Sequence, residues 1–322
     1  MSKPRIFIDG HAGTTGLRIR HWLADRKDIV LSTLLEADRK SDPARQKAIA
    51  ESDLTILCLP DEAAAAAAGW ADESGSKVLD ASSFHRVADG WVYGMPELGP
   101  AQRAAIENAQ RVTNPGCYPS AFVLLVRPLI EAGLLPASAP LAIHALSGYS
   151  GGGKGLIERW ESDAQGLEGL PYEAPYALER IHKHIPEMHR YSMLDHAPQF
   201  IPAVGPFYCG MRVEVPLHSA LLAQGVDGES VWQCWSDRYA DEPFVEVAPY
   251  TAFDPVQEKS LDPTALNETN ELRLHVFPNA DGHLLLVGIL DNLGKGASGV
   301  AIQNLNLMLG LAEETALPRR NR

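Results

Sequence analysis

The sequence predicts an α/β protein in two parts: a parallel-sheet domain followed by an α+β domain. Short apolar runs alternate with segments of helical period through the first third of the chain. Past residue 117 the strands lengthen and one of them alternates apolar with polar residues, as a strand with one wet face does. The 322 residues, 45% hydrophobic and 21% charged, hold enough core material for two domains.

Arg5 to Asp9 reads as a buried strand, and Thr14 to Asp25 as a helix offering Leu17, Ile19, His21, Trp22 and Leu23 for packing. Ile29 to Leu35 is expected as a second strand and Pro43 to Glu51 as a short helix. Leu54 to Leu59 is almost wholly apolar, as a parallel strand covered on both faces must be. Asp61 to Asp72 is an alanine-rich helix with Asp61 and Glu62 at the end where the dipole favours acid. Lys77 to Asp80 is a fourth strand, and Arg111 to Thr113 another that leads to a helix over Ala121 to Ala132. Strand–helix alternation at this spacing implies right-handed crossovers and a parallel sheet. Further on, Leu141 to Leu146, Met211 to Leu217, Leu272 to Phe277 and Leu284 to Leu290 read as strands, with a helix over Val231 to Tyr239. Ser298 to Leu311 is a last helix, and the basic tail Pro318 to Arg322 is expected to fray.

A net charge of −13 argues against a broad nucleic-acid surface, although an anionic small substrate fits a local cationic pocket. The four cysteines, Cys58, Cys117, Cys209 and Cys234, form no CxxC pair and show no zinc spacing, so no metal site is expected. No signal-peptide core and no membrane-length apolar window is found, and a reducing, cytoplasmic location with free thiols is expected.

Asn114-Pro115-Gly116-Cys117-Tyr118-Pro119-Ser120 places one cysteine where a strand run meets a helix run. Pro119 suits a first helical turn. A thiol just before a helix N-terminus is favoured as thiolate, can attack an acyl carbon, and has backbone N–H groups nearby to hold an oxyanion. A buried cysteine in a tight turn is the competing reading. Gly10-His11-Ala12-Gly13-Thr14-Thr15-Gly16 joins the first strand to the first helix, the context in which glycines let backbone approach a pyrophosphate. This context reads as a dinucleotide site, with a mere tight turn as the competing reading. Glu36 after the second strand is followed by Asp38, Arg39 and Lys40, a mixed signal in which the two cations favour the 2′-phosphate of NADP.

Ser147-Gly148-Tyr149-Ser150-Gly151-Gly152-Gly153-Lys154-Gly155 lacks Walker spacing; it reads as a flexible loop that wraps a ligand, with Lys154 supplying charge, or as a linker. His182, His184 and His189 lie within eight residues, and one of them is the candidate acid/base partner of Cys117. Arg86, after the fourth strand, is placed to fork onto a phosphate or carboxylate, or to pair with Asp80, Asp89 or Glu97.

In these motifs the chain resembles the N-acetyl-gamma-glutamyl-phosphate reductase family, in its shorter type 2 branch. The resemblance rests on DGHAGTTGLRIR at 9–20, LCLPDEAA at 57–64, DASSFHR at 80–86, GWVYGMPEL at 90–98, TNPGCYP at 113–119, SGYSGGGK at 147–154, KHIPEM at 183–188 and DNLGKGASGVAIQNLNLM at 291–308. It implies the fold of the aspartate-semialdehyde dehydrogenase superfamily: an NADP-binding Rossmann-like domain over 1–116, a catalytic and dimerisation α+β domain over 117–296, and a C-terminal helix over 297–322 returning to the cofactor domain. It also implies NADPH-dependent reduction of an acyl phosphate in arginine biosynthesis, by a homodimer or homotetramer. Cys117 falls on the family's nucleophile, His184 on its acid/base histidine with His182 second, and Gly10, Gly13 and Gly16, with Thr14 and Thr15 between and beside them, on the cofactor loop. Ser147, Gly148 and Asn292 fall on motifs bordering the nicotinamide. Arg86 falls where the superfamily holds phosphate, with Asn114 and Lys154 as further substrate contacts. His11 and Tyr149 depart from the family's usual residues and leave the acyl group open. A sister acyl-phosphate reductase acting on aspartyl or carrier-bound glutamyl or aminoadipyl phosphate is the second enzymatic reading, and an NADP-binding sensor without catalysis is the third.

Overall fold

The computed structural model describes residues 3–162, 170, 172–250 and 261–320. The chain divides into two compact units, Met1–Pro115 with Ala297–Leu317, and Gly116–Gly296 with Pro318–Arg322. Residues 321 and 322 of the expected tail lie outside the described residues.

The first unit holds strands β1 (Arg5–Asp9), β2 (Val30–Ser32), β3 (Leu54–Leu57), β4 (Lys77–Asp80), β5 (Val92–Tyr93) and β6 (Arg111–Thr113). Helices α1 (Thr14–Leu23), α2 (Asp42–Ala50), α3 (Asp61–Ser74) and α4 (Pro100–Asn108) connect them. The strands form one parallel sheet in the order β2-β1-β3-β4-β6-β5. The chain reverses direction across the sheet between β1 and β3, so a crevice opens at the carboxyl ends of those two strands, where open α/β sheets take ligands. β3 is buried throughout, matching its apolar run. β2 is shorter than the apolar run suggests, because it is an edge strand with one neighbour. Leu34 leaves the sheet to pack on the cluster of Ile49 and Ala67, and Leu35 is exposed.

The second unit holds α5 (Cys117–Glu131), β7 (Ala142–Gly148), α6 (Gly153–Glu161), β8 (Ala174–Pro175), α7 (Ile185–Ser192), β9 (Gln199–Gly205), β10 (Met211–Leu217), α8 (Gly228–Arg238), β11 (Val245–Val247), β12 (Leu272–Pro278) and β13 (Leu284–Leu290). Its sheet is mixed, in the order β11-β12-β13-β10-β7-β9-β8. β10 sits between antiparallel neighbours β13 and β7, and its alternating burial follows its alternating sequence. α5 covers the apolar face, and α8 is tied to it where Trp235 Nε1 donates to the Leu125 carbonyl at 3.1 Å.

Two expectations are corrected. The glycine-rich stretch at 147–155 is regular structure rather than a flexible loop: β7 runs to Gly148, a 3-10 turn spans Tyr149–Gly152, and α6 starts at Gly153. The last helix does not begin at Ser298. A π turn spans Gly294–Ser298, and α9 (Gly299–Met308) follows it. α9 belongs to the first unit, where Asn304 Nδ2 donates to the Gly94 carbonyl at 2.8 Å and Gln303 Nε2 to Glu97 at 2.8 Å. These bonds explain why a fully buried helix carries amides.

His275 on β12 is buried and stacked on Phe277, and burial, helped by the Arg273 charge and opposed by Glu246, pushes its imidazole down to about 4. The unfolded imidazole takes up a proton near 6.5, so this site stabilises the fold fully above that pH and loses its contribution as pH falls toward the folded value. Its share of the loss amounts to about 2 kcal/mol by pH 5. His275→Asn should therefore shrink the difference between urea midpoints measured at pH 7.5 and pH 5; an undiminished difference places the acid sensitivity elsewhere.

Candidate active site

In the first unit, β1 delivers Gly10 to the crevice at a φ of +87°, a left-handed conformation open to glycine. A Cβ at residue 10 would lie 2.2 Å from the Cys58 carbonyl oxygen, so a side chain there cannot coexist with the end of β3. A Cβ on Gly16 would lie 2.6 Å from the Gly10 carbonyl, which closes the turn. Gly13 is the N-cap of α1 and contributes no side-chain cap, and Thr14 and Thr15 open the helix, half-buried. This cradle, with helix N–H groups at its mouth, fits a pyrophosphate. Beneath it Asp9 accepts from Arg45 Nε at 3.0 Å, and both side chains are buried. Burial holds the Asp9 carboxyl above its usual range although Arg45 opposes this. Removing one partner of such a buried pair costs about 3–5 kcal/mol. On the loop after β2, Arg39 Nε lies 2.6 Å from Glu36, so the two residues that signalled opposite cofactor preferences form one ion pair.

Arg86 and Asn114 also belong to the first unit. Arg86 is buried and donates from Nε to the Asn114 carbonyl at 3.1 Å and from Nη2 to the Ala81 carbonyl at 3.3 Å. Asn114 is buried as well, and its Nδ2 donates to the Ala297 carbonyl at 2.9 Å. Asp80 accepts from the Ser82 hydroxyl at 2.7 Å and lies 2.6 Å from His85 Nδ1.

In the second unit, Cys117 is the first residue of α5, with Gly116 as its N-cap. Its thiol therefore sits inside the first turn rather than before it, where the helix field still favours an anion. The Gly116 N–H donates to Glu187 Oε1 at 2.8 Å, and Glu187 is 1% exposed. Glu187 was not among the expected site residues. Its signal was available: Pro186 and Glu187 open α7 as a proline and an acid do at helix starts.

His184 is the N-cap of α7 and buried. Its N–H donates to His182 Nδ1 at 3.1 Å, and His182 Nε2 lies 3.4 Å from the Tyr176 hydroxyl. Tyr176 in turn donates to the Tyr118 hydroxyl at 3.2 Å. The Tyr118 ring meets His182 and His184 edge-on, with centroids 6.0 and 5.8 Å apart. Burial pushes the Tyr176 phenol up to about 12, although its hydrogen bond to Tyr118 opposes the rise. Nothing in the sequence around Tyr176 marks it; only the pairing of β8 with β9 brings it here.

Asn292 bridges the 147–151 stretch to β10: its Oδ1 accepts from the Gly210 N–H at 2.8 Å and its Nδ2 donates to the Ser150 hydroxyl at 3.0 Å. Ser147 is buried at the end of β7, with its Oγ on the Gly148 carbonyl. Lys154 stands apart from this cluster, with its side chain 87% exposed and 3.5 Å from Glu158. Among the described residues no group of three or more His, Cys, Asp or Glu comes together as a metal site. The other cysteines differ from Cys117 in setting: burial first, with Asp80 and Asp9 adding, pushes Cys58 up to about 12, and Cys209 is buried against Ser150.

Residues 32–109 match the semialdehyde dehydrogenase NAD-binding domain, and residues 117–292 match the semialdehyde dehydrogenase dimerisation domain. N-acetyl-gamma-glutamyl-phosphate reductase 2 of a Nostoc species is 49% identical, covering 98% of this chain and 100% of the relative. N-acetyl-gamma-glutamyl-phosphate reductase of Burkholderia cenocepacia is 48% identical over 96% of this chain and 98% of its own. In fold, the chain matches aspartate semialdehyde dehydrogenase II from Vibrio cholerae with a TM-score of 0.73 at 18% identity, over 96% of this chain and 99% of that one. The α/β architecture expected from the sequence is thus borne out, and the chain belongs to the N-acetyl-gamma-glutamyl-phosphate reductase family of semialdehyde dehydrogenases.

Proposed function

We propose that this protein is an NADPH-dependent N-acetyl-gamma-glutamyl-phosphate reductase that works through a thioester on Cys117. The observation that carries the reading is the setting of Cys117: a thiol in the first turn of α5, followed by Tyr118 whose ring meets buried His184 and half-buried His182, with its preceding N–H held by Glu187. The thiolate attacks the γ-carbonyl of the acyl phosphate and phosphate leaves. The N–H groups of the first turn are the donors suited to the developing oxyanion, apart from Gly116, whose N–H is committed to Glu187. NADPH, when bound at the Gly10–Gly16 cradle, supplies the hydride that reduces the thioester. The thiohemiacetal then collapses to the semialdehyde and releases Cys117.

His184 is the acid/base group in this reading. It takes the Sγ proton to give the attacking thiolate, and returns that proton to the sulfur as the thiohemiacetal anion formed by hydride addition expels it. His182 is the less suitable of the two, because both of its ring nitrogens are engaged, by the His184 N–H and by Tyr176. His182 instead orients its neighbour. Arg86 holds the Asn114 turn through the carbonyl it contacts and carries the positive charge proposed to receive phosphate. Ser147, Gly148 and Asn292 are proposed to line the nicotinamide end, and Lys154 to meet the anionic substrate from the surface. A homodimer or homotetramer is supported by the match to a dimerisation domain. A cytoplasmic location is supported by four free cysteines. No helix among the described residues is long and apolar enough to cross a membrane.

Cys117→Ser replaces a ready thiolate with a scarcely ionised hydroxyl, so reduction should nearly vanish while NADP binding persists. Iodoacetamide should modify Cys117 ahead of Cys58, with substrate protecting it; substantial turnover by the serine variant, or Cys58 labelled first, sinks the thioester route.

The two histidines separate by kinetics. His184→Asn should lower kcat by roughly 10²–10⁴-fold and abolish the limb of the pH profile that it controls. His182→Asn should lower kcat less and leave that limb in place; the reverse pattern reassigns the acid/base role.

For the cofactor, Arg39→Ala should weaken NADPH binding more than NADH binding, since only NADPH carries the 2′-phosphate. Equal losses for both contradict a phosphate contact at Arg39.

A further inference from the structure

Between β13 and α9 the backbone makes a π turn, Gly294–Ser298, a rare distortion that is frequent at functional sites. Its five-residue hydrogen bond runs from the Gly296 N–H to the Asp291 carbonyl at 2.9 Å. The Asp291 side chain is fully buried and holds two further N–H groups, Leu293 on Oδ1 at 2.9 Å and Glu268 on Oδ2 at 2.8 Å. Lys295 is 1% exposed and lies over the Phe244 ring at 5.6 Å. Two buried charges thus fix five residues that follow a strand end, an expensive arrangement for a plain connection.

What this turn carries is Gly296. A Cβ built on Gly296 would lie 2.7 Å from the Cys117 Cβ and 3.2 Å from its Cα. The first of these distances is well inside carbon–carbon contact, and the atom met is not the end of a flexible chain but the root of the candidate nucleophile. Gly296 is not among the positive-φ glycines, so alanine meets no backbone penalty there. The glycine is required by space, which Cys117 limits most closely and the Asp291 carbonyl oxygen, 3.2 Å from the same position, limits next.

We propose that the Asp291–Ser298 turn is a clamp on the nucleophile: Gly296 seats against Cys117 and fixes where its Sγ points, and buried Asp291 and Lys295 keep the turn in place. Gly296 is a positioning residue on this view, acting through Cys117. The proposal rests on Cys117 being the nucleophile and adds what holds it. Backbone packed on the Cβ restricts the thiol to rotamers that lie within the field of α5, and a displaced Cβ moves the thiol away from it.

The test uses the full-length protein with Gly296→Ala. A displacement of the thiol of about 1 Å should lower kcat roughly 100-fold. The KM for NADPH should stay unchanged, and the pH midpoint of iodoacetamide alkylation at Cys117 should move upward. Stability supplies a second measurement. Gly296→Ala should lower the urea midpoint in the wild-type background and lower it distinctly less in a Cys117→Gly background, where the Cβ it strikes hardest is gone and only the contacts at 3.2 Å remain. If Gly296→Ala is destabilising to the same extent in both backgrounds, or if it keeps wild-type kcat and alkylation profile, the clamp is overturned. Cys117→Ser, assayed in parallel, separates the two levels: an active serine variant takes down the nucleophile reading and the clamp with it, whereas an inactive serine variant beside a fully active Gly296→Ala removes the clamp alone.

Discussion

The carbonyl oxygen of Cys58 occupies the place where a side chain at residue 10 would begin, 2.2 Å from the Cβ position. That approach lets the ends of β1 and β3 lie side by side with the loop between β1 and α1 folded tightly over them. Without it the crevice at the strand ends would be filled by the protein itself. The same device recurs within the second unit, where Gly296 brings backbone onto Cys117. In both places the geometry is set by main chain against main chain or against a Cβ. Such contacts have no rotamers to relax into, so they hold position better than side-chain packing does.

Buried carboxylates do the complementary work. The chain is acidic overall, yet several of its buried acids are satisfied by backbone N–H groups: Glu187 by Gly116, Asp80 by Ser82, and Asp291 by Leu293 and Glu268. A carboxylate so bound pins a turn instead of filling a core. Glu187 illustrates the tension this creates. Its negative charge, one residue from Cys117, opposes a thiolate. The field at the N-terminus of α5 acts in the opposite sense, toward the anion.

The histidine pair shows how a tie in the sequence is broken by surroundings. His182 and His184 are equivalent as letters. In the folded chain one accepts from the other's backbone N–H and faces Tyr176, while the other caps α7 beside Tyr118. A hydrogen-bonded imidazole with both nitrogens engaged has a fixed tautomer and orients its neighbour. The Tyr118 and Tyr176 phenols extend this chain of groups, and burial keeps both protonated at neutral pH.

Much of the fold was legible because hydrophobic period and glycine chemistry are local. The strand at 54–57, the alanine-rich helix, the strand–glycine–helix junction at 9–16 and the elbow at Cys117 follow from short stretches whose physics does not depend on distant partners. The motifs at 80–86, 113–119 and 183–188 are short in the same way, and Asp80, Cys117 and His184 can be named from them without distant partners. What only tertiary structure decided involves partners far apart in sequence. The length of β2 depends on having one neighbour, the order of the glycine-rich stretch at 147–155 depends on Asn292, and Tyr176 reaches the histidines through a two-residue strand. The pairing of Arg39 with Glu36 is likewise a fact of the folded loop: the two residues of a mixed signal form one ion pair. The π turn before α9 was invisible as well, since Gly294 and Gly296 read as loop or helix start until Thr269 and Cys117 supply the atoms that exclude any side chain. A residue's own preference can be read from its neighbours in sequence; the space it is denied is set by atoms that only the folded chain brings near.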